Sequence, residues 1–192
     1  MNILVDKLPE TVEVGGRSYP INTDFRACLK TIMACEDGEL TGYEKSLVIL
    51  TNLFDEIPDD LDAALEKAQW FLDGGEVRQE QTEERLQPRV YSFSKDANFI
   101  FAAFRQTHGI DLQTANLHWW TFIALFMDVG GDTTFSQLTA LRKRVKTGKA
   151  TKEEREAARE LGDIFEIADT ELRTLEDLEA EDEFMKALNA HK

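Results

Sequence analysis

Leu117-His118-Trp119-Trp120-Thr121-Phe122-Ile123-Ala124-Leu125-Phe126-Met127 contains no Asp, Glu, Lys or Arg, in a chain of 192 residues whose formal net charge is -15. Trp120, Ile123, Ala124 and Met127 recur at helical spacing, and Trp119, Phe122 and Phe126 fill the flank. The segment therefore reads as a helix that is apolar nearly all round, and such a helix is expected to be enclosed by others. Thr114 is its expected start, and Gly130-Gly131 its end. Trp120 is expected in the core. Trp119 diverges from it by about 100° around the helix, which makes it a candidate binding anchor.

Outward from this segment the signals remain helical. Ser94 offers a cap for a helix bearing Ala97, Ile100, Phe101 and Phe104 and ending at Gly109, and Thr133 or Thr134 starts another striped by Phe135, Leu138, Leu141 and Val145. Toward the N-terminus, Glu10 to Val14 and Arg17 to Ile21 alternate apolar and polar around Gly15-Gly16, which reads as a β-hairpin. Thr23 or Asp24 then caps a helix with Phe25, Cys28, Leu29, Ile32 and Met33 on one face. Tyr43, Leu47, Leu50 and Phe54 stripe a second helix, Pro58 interrupts, and Leu61, Ala64, Leu65, Ala68, Phe71 and Leu72 stripe a third that stops at Gly74-Gly75. The fold class is mainly α, a helical bundle of about six to eight helices with a small N-terminal hairpin.

Four parts follow: a hairpin plus three-helix unit over 1–75, a polar loop or linker over 76–89, a helical core containing the double-tryptophan helix over 90–150, and an acidic amphipathic helical segment over 151–192. The linker is rich in Glu, Gln and Arg and nearly devoid of apolar residues, too few to offset its ordering entropy. In the last part Leu161, Ile164, Phe165, Ala168, Leu172, Leu175 and Leu178 keep a helical stripe against a dense set of carboxylates. Such a helix needs a partner surface, within the molecule or on a sister subunit, and Leu172, Leu175 and Leu178 are interaction candidates.

At 42% hydrophobic and 31% charged, the chain has the composition of a globular protein. Its longest apolar run falls far short of the roughly 20 residues that span a bilayer, and its start lacks the pattern of a secretory signal. Cys28 and Cys35, seven apart on one helix, stand about 10 Å from each other, too far for a disulfide. The acidic balance argues against general binding to nucleic acid or anionic membranes. Arg142, Lys143, Arg144, Lys146, Lys149 and Lys152 run without an acid among them, and Arg142, Arg144 and Lys146 are interaction candidates. That run lacks the interleaved aromatics that stack on bases.

No catalytic, cofactor or metal residue is assigned. His118 has no Cys or second His at metal spacing and is expected to use its ring nitrogens for hydrogen bonds. Glu181-Asp182-Glu183 does not alternate as a calcium loop requires. Gly15-Gly16, Gly74-Gly75 and Gly130-Gly131 are not strand-to-helix phosphate loops, and Thr147-Gly148-Lys149 lacks the upstream glycine and the following hydroxyl of one.

Asp96 through Phe104, then Gly109-Ile110-Asp111-Leu112, Leu117-His118-Trp119-Trp120 and Asp132-Thr133-Thr134-Phe135-Ser136, preceded by Tyr19-Pro20-Ile21-Asn22-Thr23-Asp24-Phe25-Arg26, resemble the gene-product-fifteen family of long-tailed phages. The resemblance covers roughly residues 10 to 145. It implies a protein encoded between the major tail protein and the tape-measure protein of siphophages and their prophages, and hence a non-enzymatic tail assembly chaperone. The implied partners are the tape-measure protein and the tail tube protein, the implied location is the cytoplasm of the bacterial host, and no catalytic residue is carried over. The acidic segment after Glu153 departs from the shorter, more basic ending of that family. A second reading, from composition alone, is an acidic decoy whose carboxylates imitate nucleic-acid phosphates and occupy a basic host protein.

Overall fold

The computed structural model describes residues 2–75 and 88–167. Among them are the hairpin strands β1 (Thr11–Val14) and β2 (Arg17–Pro20) and seven helices: α1 (Phe25–Cys35), α2 (Gly42–Leu53), α3 (Leu61–Leu72), α4 (Ala97–His108), α5 (Trp119–Met127), α6 (Thr134–Lys146) and α7 (Lys152–Leu161). The mainly α architecture with one N-terminal hairpin is as the residue patterns indicate. The described chain falls into two compact units, the first comprising 2–75 and 117–122, the second 88–116 and 123–167.

In the first unit the hairpin pairs Val12 with Tyr19 and Val14 with Arg17. Gly15 and Gly16, at φ of 58° and 78°, make the two-residue turn that needs left-handed backbone at both positions. Val12, Val14 and Tyr19 are buried. Each following helix begins on a side-chain cap: the Asp24 carboxylate accepts from Arg26 N–H, Thr41 and Glu44 form a reciprocal capping box, and Asp60 accepts from Ala63 N–H. The buried faces carry Phe25 and Cys28 of α1, Leu50 and Leu53 of α2, and Ala64, Ala68 and Phe71 of α3.

Helix α3 ends in a Schellman motif, with Gly74 N–H bonded to the Phe71 carbonyl and Gly75 N–H to that of Trp70. The carbonyls around this end also receive indoles. Trp119 Nε1 donates to the Leu72 carbonyl at 2.9 Å, Trp120 Nε1 to that of Phe71 at 2.8 Å, and Trp70 Nε1 to that of Gly75 at 3.0 Å. Gly75 is required here twice over, by its φ of 83° and because a Cβ would stand 2.5 Å from Cη2 of Trp120. This arrangement revises two expectations. The first turn of the double-tryptophan helix belongs with the N-terminal residues and not with the 90–150 core, and Trp119, only 1% exposed, is a core residue, not a surface anchor.

Helix α5 also starts later than Thr114. Residues 117–119 are drawn into backbone pairing with 23–25: Phe25 N–H bonds to the Leu117 carbonyl, Trp119 N–H bonds to that of Thr23, and Asp24 bridges His118. The helix is not enclosed all round. Trp119, Trp120, Phe122 and Phe126 are buried, Ala124 is exposed, and Met127 is 83% exposed.

The second unit packs Ile100, Ala103 and Phe104 of α4 and Phe135 and Leu138 of α6 into its interior. Tyr91, Phe93, Phe126 and Phe135 form an aromatic cluster with centroids 5.2 to 6.1 Å apart. Helix α4 begins at Ala97, not near Ser94, and the Asp96 side chain at its N-cap position makes no capping hydrogen bond. It forms a doubly hydrogen-bonded ion pair with Arg142, at 2.7 and 3.0 Å, with both side chains fully buried. Arg142 spends its other hydrogens on the carbonyls of Val90, Ile164 and Phe165, so all five guanidinium N–H groups are satisfied. Helix α7 stops at Leu161, interrupting the expected stripe, since Gly162 takes a φ of 52° and the chain turns through Gly162–Ile164. The polar segment 76–87 and the stripe residues Ala168, Leu172, Leu175 and Leu178 lie outside the described residues.

Three expected outcomes follow from this packing. Trp119→Ala should destabilise by about 3 to 5 kcal/mol and Trp120→Ala by a similar amount, because each opens a large cavity and Trp119→Ala also strips the Leu72 carbonyl of its indole donor; denaturant unfolding followed by circular dichroism measures both. Asp96→Asn should cost about 3 to 5 kcal/mol by leaving Arg142 buried without its counter-charge, whereas Asp96→Leu combined with Arg142→Met should lose far less, and equal losses in the two variants would refute this assignment. Cys28 is fully buried and its thiol is pushed up to about 12, first by burial and then by Asp24. Its contribution to stability is intact below the ordinary thiol value of 9.0 and declines as pH rises toward 12. Iodoacetamide should therefore add once to the native protein, at half-buried Cys35, and twice after denaturation, which mass spectrometry reads directly.

Candidate functional site

Of the histidines, His108 and His118 lie among the described residues, and both are structural hydrogen-bonding groups. His118 Nδ1 lies 3.0 Å from the Trp120 backbone N–H, which can only donate, so Nδ1 accepts and Nε2 carries the proton to the Pro9 carbonyl, also at 3.0 Å. This ties the residues before the hairpin to the start of α5. His108 Nε2 meets the Leu125 carbonyl at 2.9 Å. Among the described residues there is no group of three or more His, Cys, Asp or Glu arranged to hold a metal ion, and no helix long and apolar enough to cross a membrane.

The basic run resolves into separate roles. Arg142 is a buried structural residue and not an interaction residue, because the apolar stripe of α6 carries it inward to Asp96. Arg144 Nε pairs with Glu154 at 2.7 Å across the turn between α6 and α7, and Lys152 approaches Glu156 at 4.0 Å. Lys146 is half-buried. These cations complement the C-terminal end of α6 and the acidic first turn of α7, where local hydrogen bonding holds the Glu153 carboxyl below the usual range. Leu172, Leu175 and Leu178 lie outside the described residues, so of the expected interaction residues only Arg144 and Lys146 remain near the surface here.

What the sequence patterns missed is the apolar surface. Leu4 and Val5 are 87% and 78% exposed, on a single turn fixed by hydrogen bonds from Val5 and Asp6 N–H to the Asn2 carbonyl and from Leu4 N–H to the Asn2 side chain. Met127 projects at the end of α5, and Ile57 projects between Asp55, Glu56 and Asp59. The one available signal was the run Ile3-Leu4-Val5, which belongs to neither a strand nor a helical stripe. Charge is divided unequally as well. The described residues of the first unit carry 15 acidic and 6 basic side chains, and those of the second 10 and 11. In the first unit the exposed Leu4 and Val5 thus lie among residues of net negative charge, whereas Met127 belongs to a unit whose charges nearly balance.

Comparison with known proteins agrees with a phage origin. The family model described as Bacteriophage Gp15 protein matches residues 4–167, from the exposed N-terminal turn through all seven helices. It therefore runs past Glu153, beyond the expected limit near residue 145, and takes in α7 and the turn that follows. No curated protein and no solved structure matches. With most of its length matched, the chain belongs to the Bacteriophage Gp15 protein family.

Proposed function

We propose that this protein is a non-enzymatic factor of phage tail morphogenesis, a tail assembly chaperone that transiently binds the tape-measure protein, the tail tube protein or both in the cytoplasm of the bacterial host. Membership of the Bacteriophage Gp15 family carries the reading, through the gene position between tail and tape-measure genes that the resemblance implies. The exposed Leu4, Val5 and Met127 support it, since fully solvated large aliphatic side chains suit contact with an apolar helical client. The net charge of -15 suits the other half of the task, keeping a complex with such a client dispersed.

A second reading, an acidic decoy for a basic host protein, is favoured by the 15 acidic against 6 basic residues of the first unit. The two differ in partner and in salt dependence. Apolar capture of a tail protein should persist at high salt, whereas phosphate mimicry should weaken steeply.

Deleting the gene is expected to give filled heads without tails, and co-expression is expected to raise the soluble fraction of the tape-measure protein. Normal tails in the deletion strain would reject the chaperone reading. A basic host factor that copurifies at low salt and is lost at high salt would favour the decoy.

A further inference from the structure

The chain contains two Asp-Gly steps, Asp37-Gly38 and Asp73-Gly74, and the fold treats them differently. At such a step the glycine's backbone nitrogen can attack Cγ of the aspartate, because no side chain on the glycine shields it. The carboxyl reacts in its acid form, its hydroxyl leaves as water with the proton of the amide, and a five-membered succinimide closes. Water then adds back at either carbonyl. Addition at Cγ restores aspartate, whereas addition at the main-chain carbonyl leaves the chain running through Cγ, an isoaspartate with a free α-carboxylate. The water lost is regained, and nothing is oxidised or reduced.

At Asp73-Gly74 every group this chemistry needs is engaged. The Asp73 carboxylate accepts from Gln69 Nε2 at 3.0 Å, and the Asp73 N–H bonds to the Gln69 carbonyl at 2.9 Å. The Gly74 N–H, on the nitrogen that would attack, is bonded to the Phe71 carbonyl at 3.2 Å, and Gly74 is held at a φ of 72° by the Schellman motif. Attack would require opening the end of α3, to which the indoles of Trp119 and Trp120 are also bonded.

Asp37-Gly38 lies in the connection between α1 and α2, where Asp37, Gly38 and Glu39 are all exposed. Among the described residues no hydrogen bond holds the Gly38 amide, and a Cβ on Gly38 would meet nothing within 4 Å. Asp37 Oδ1 accepts from Glu39 N–H at 2.9 Å, a turn that folds the carboxyl back over the glycine whose nitrogen must reach it. The flanking helix ends rest on other bonds. The Asp37 N–H reaches the Ala34 carbonyl, and α2 begins on the Thr41 and Glu44 capping box, so an extra methylene in the backbone at residue 37 leaves both helices in place.

We propose that Asp37-Gly38 is a modification site that converts spontaneously to isoaspartate in the folded protein, while the end of α3 shields Asp73-Gly74. The free α-carboxylate of the product is the methyl acceptor of S-adenosylmethionine-dependent isoaspartyl methyltransferases, and that class of enzyme is the partner this loop fits once it has aged. The inference stands apart from the chaperone reading.

The full chain, held for several weeks in warm neutral buffer, should accumulate isoaspartate at residue 37 at least ~10-fold faster than at residue 73, read by electron-transfer fragmentation of its peptides and by methyl transfer from tritiated S-adenosylmethionine. In denaturant the two steps keep the same glycine neighbour and lose the fold, so their rates should converge. Gly38→Ala, which has open space for its Cβ, should lose most of the isoaspartate at residue 37 with an unchanged circular dichroism spectrum. Equal rates at the two steps in the folded protein, a folded protein with no isoaspartate at residue 37, or a difference that survives denaturant would overturn the proposal.

Discussion

The first unit depends on two indoles reaching the end of α3 from a point nearly fifty residues further along the chain. A helix C-terminus leaves carbonyls without partners, and here the Schellman turn and the Trp119 and Trp120 N–H groups share that duty. Magnitudes separate what holds the pair from what aims it. Burying a tryptophan removes about 150 to 250 Å² from water, worth about 4 to 6 kcal/mol, while each indole hydrogen bond adds only about 0.5 to 1.5. The area supplies the stability. The hydrogen bonds decide which carbonyls the rings face, and an unmatched Leu72 carbonyl beneath a buried ring would cost about 1 to 3 kcal/mol, which disfavours a slipped register. Gly75 adds a steric demand to the same effect, since the Trp120 ring occupies the space a side chain would need.

The second unit solves a different problem, with a charge pair instead of an aromatic anchor. Burying Arg142 and Asp96 costs several kcal/mol for each ion, and the pair survives because every guanidinium hydrogen and both carboxylate oxygens find partners. A leucine and a methionine would fill the same space at no such cost. What apolar residues could not do is fix three separate stretches of chain, Val90, Asp96 and residues 164–165, to one point on α6. The pair therefore contributes placement more than net stability, and it explains why α4 starts without a side-chain cap: its natural cap, Asp96, is turned toward Arg142.

Local signals were legible in the sequence and distant ones were not. Asp24 and Thr133 sit where helices α1 and α6 begin, the double glycine turns the hairpin, and the breaks at Pro58 and Gly109 fall between elements. Each is written within a few residues of where it acts. The start of α5 was misplaced because Leu117 and Trp119 bond their backbones to Phe25 and Thr23, a contact with no trace in local periodicity. Arg142 looked like part of a solvated basic run because composition counts charge and not direction. Its place in the stripe Leu138, Leu141, Val145 was the available sign that it points inward. Trp119 and Trp120 seemed to diverge, so that one would face outward, yet both reach the same helix end because an indole is long enough to bend back along its own helix.

For the surface, charge and apolar exposure act over different distances. Carboxylates in the first unit attract a basic segment only within about 8 Å at physiological salt, which helps encounter and contributes little to lifetime once contact is made. Leu4, Val5 and Met127 act only at contact, where burying each can add about 1.5 to 3 kcal/mol. A client held mainly by charge would be released by salt. One held at Leu4 and Val5, which share a single turn, would stay through changes in salt and leave only when a competing apolar surface takes its place, the behaviour that the proposed chaperone role would ask of it.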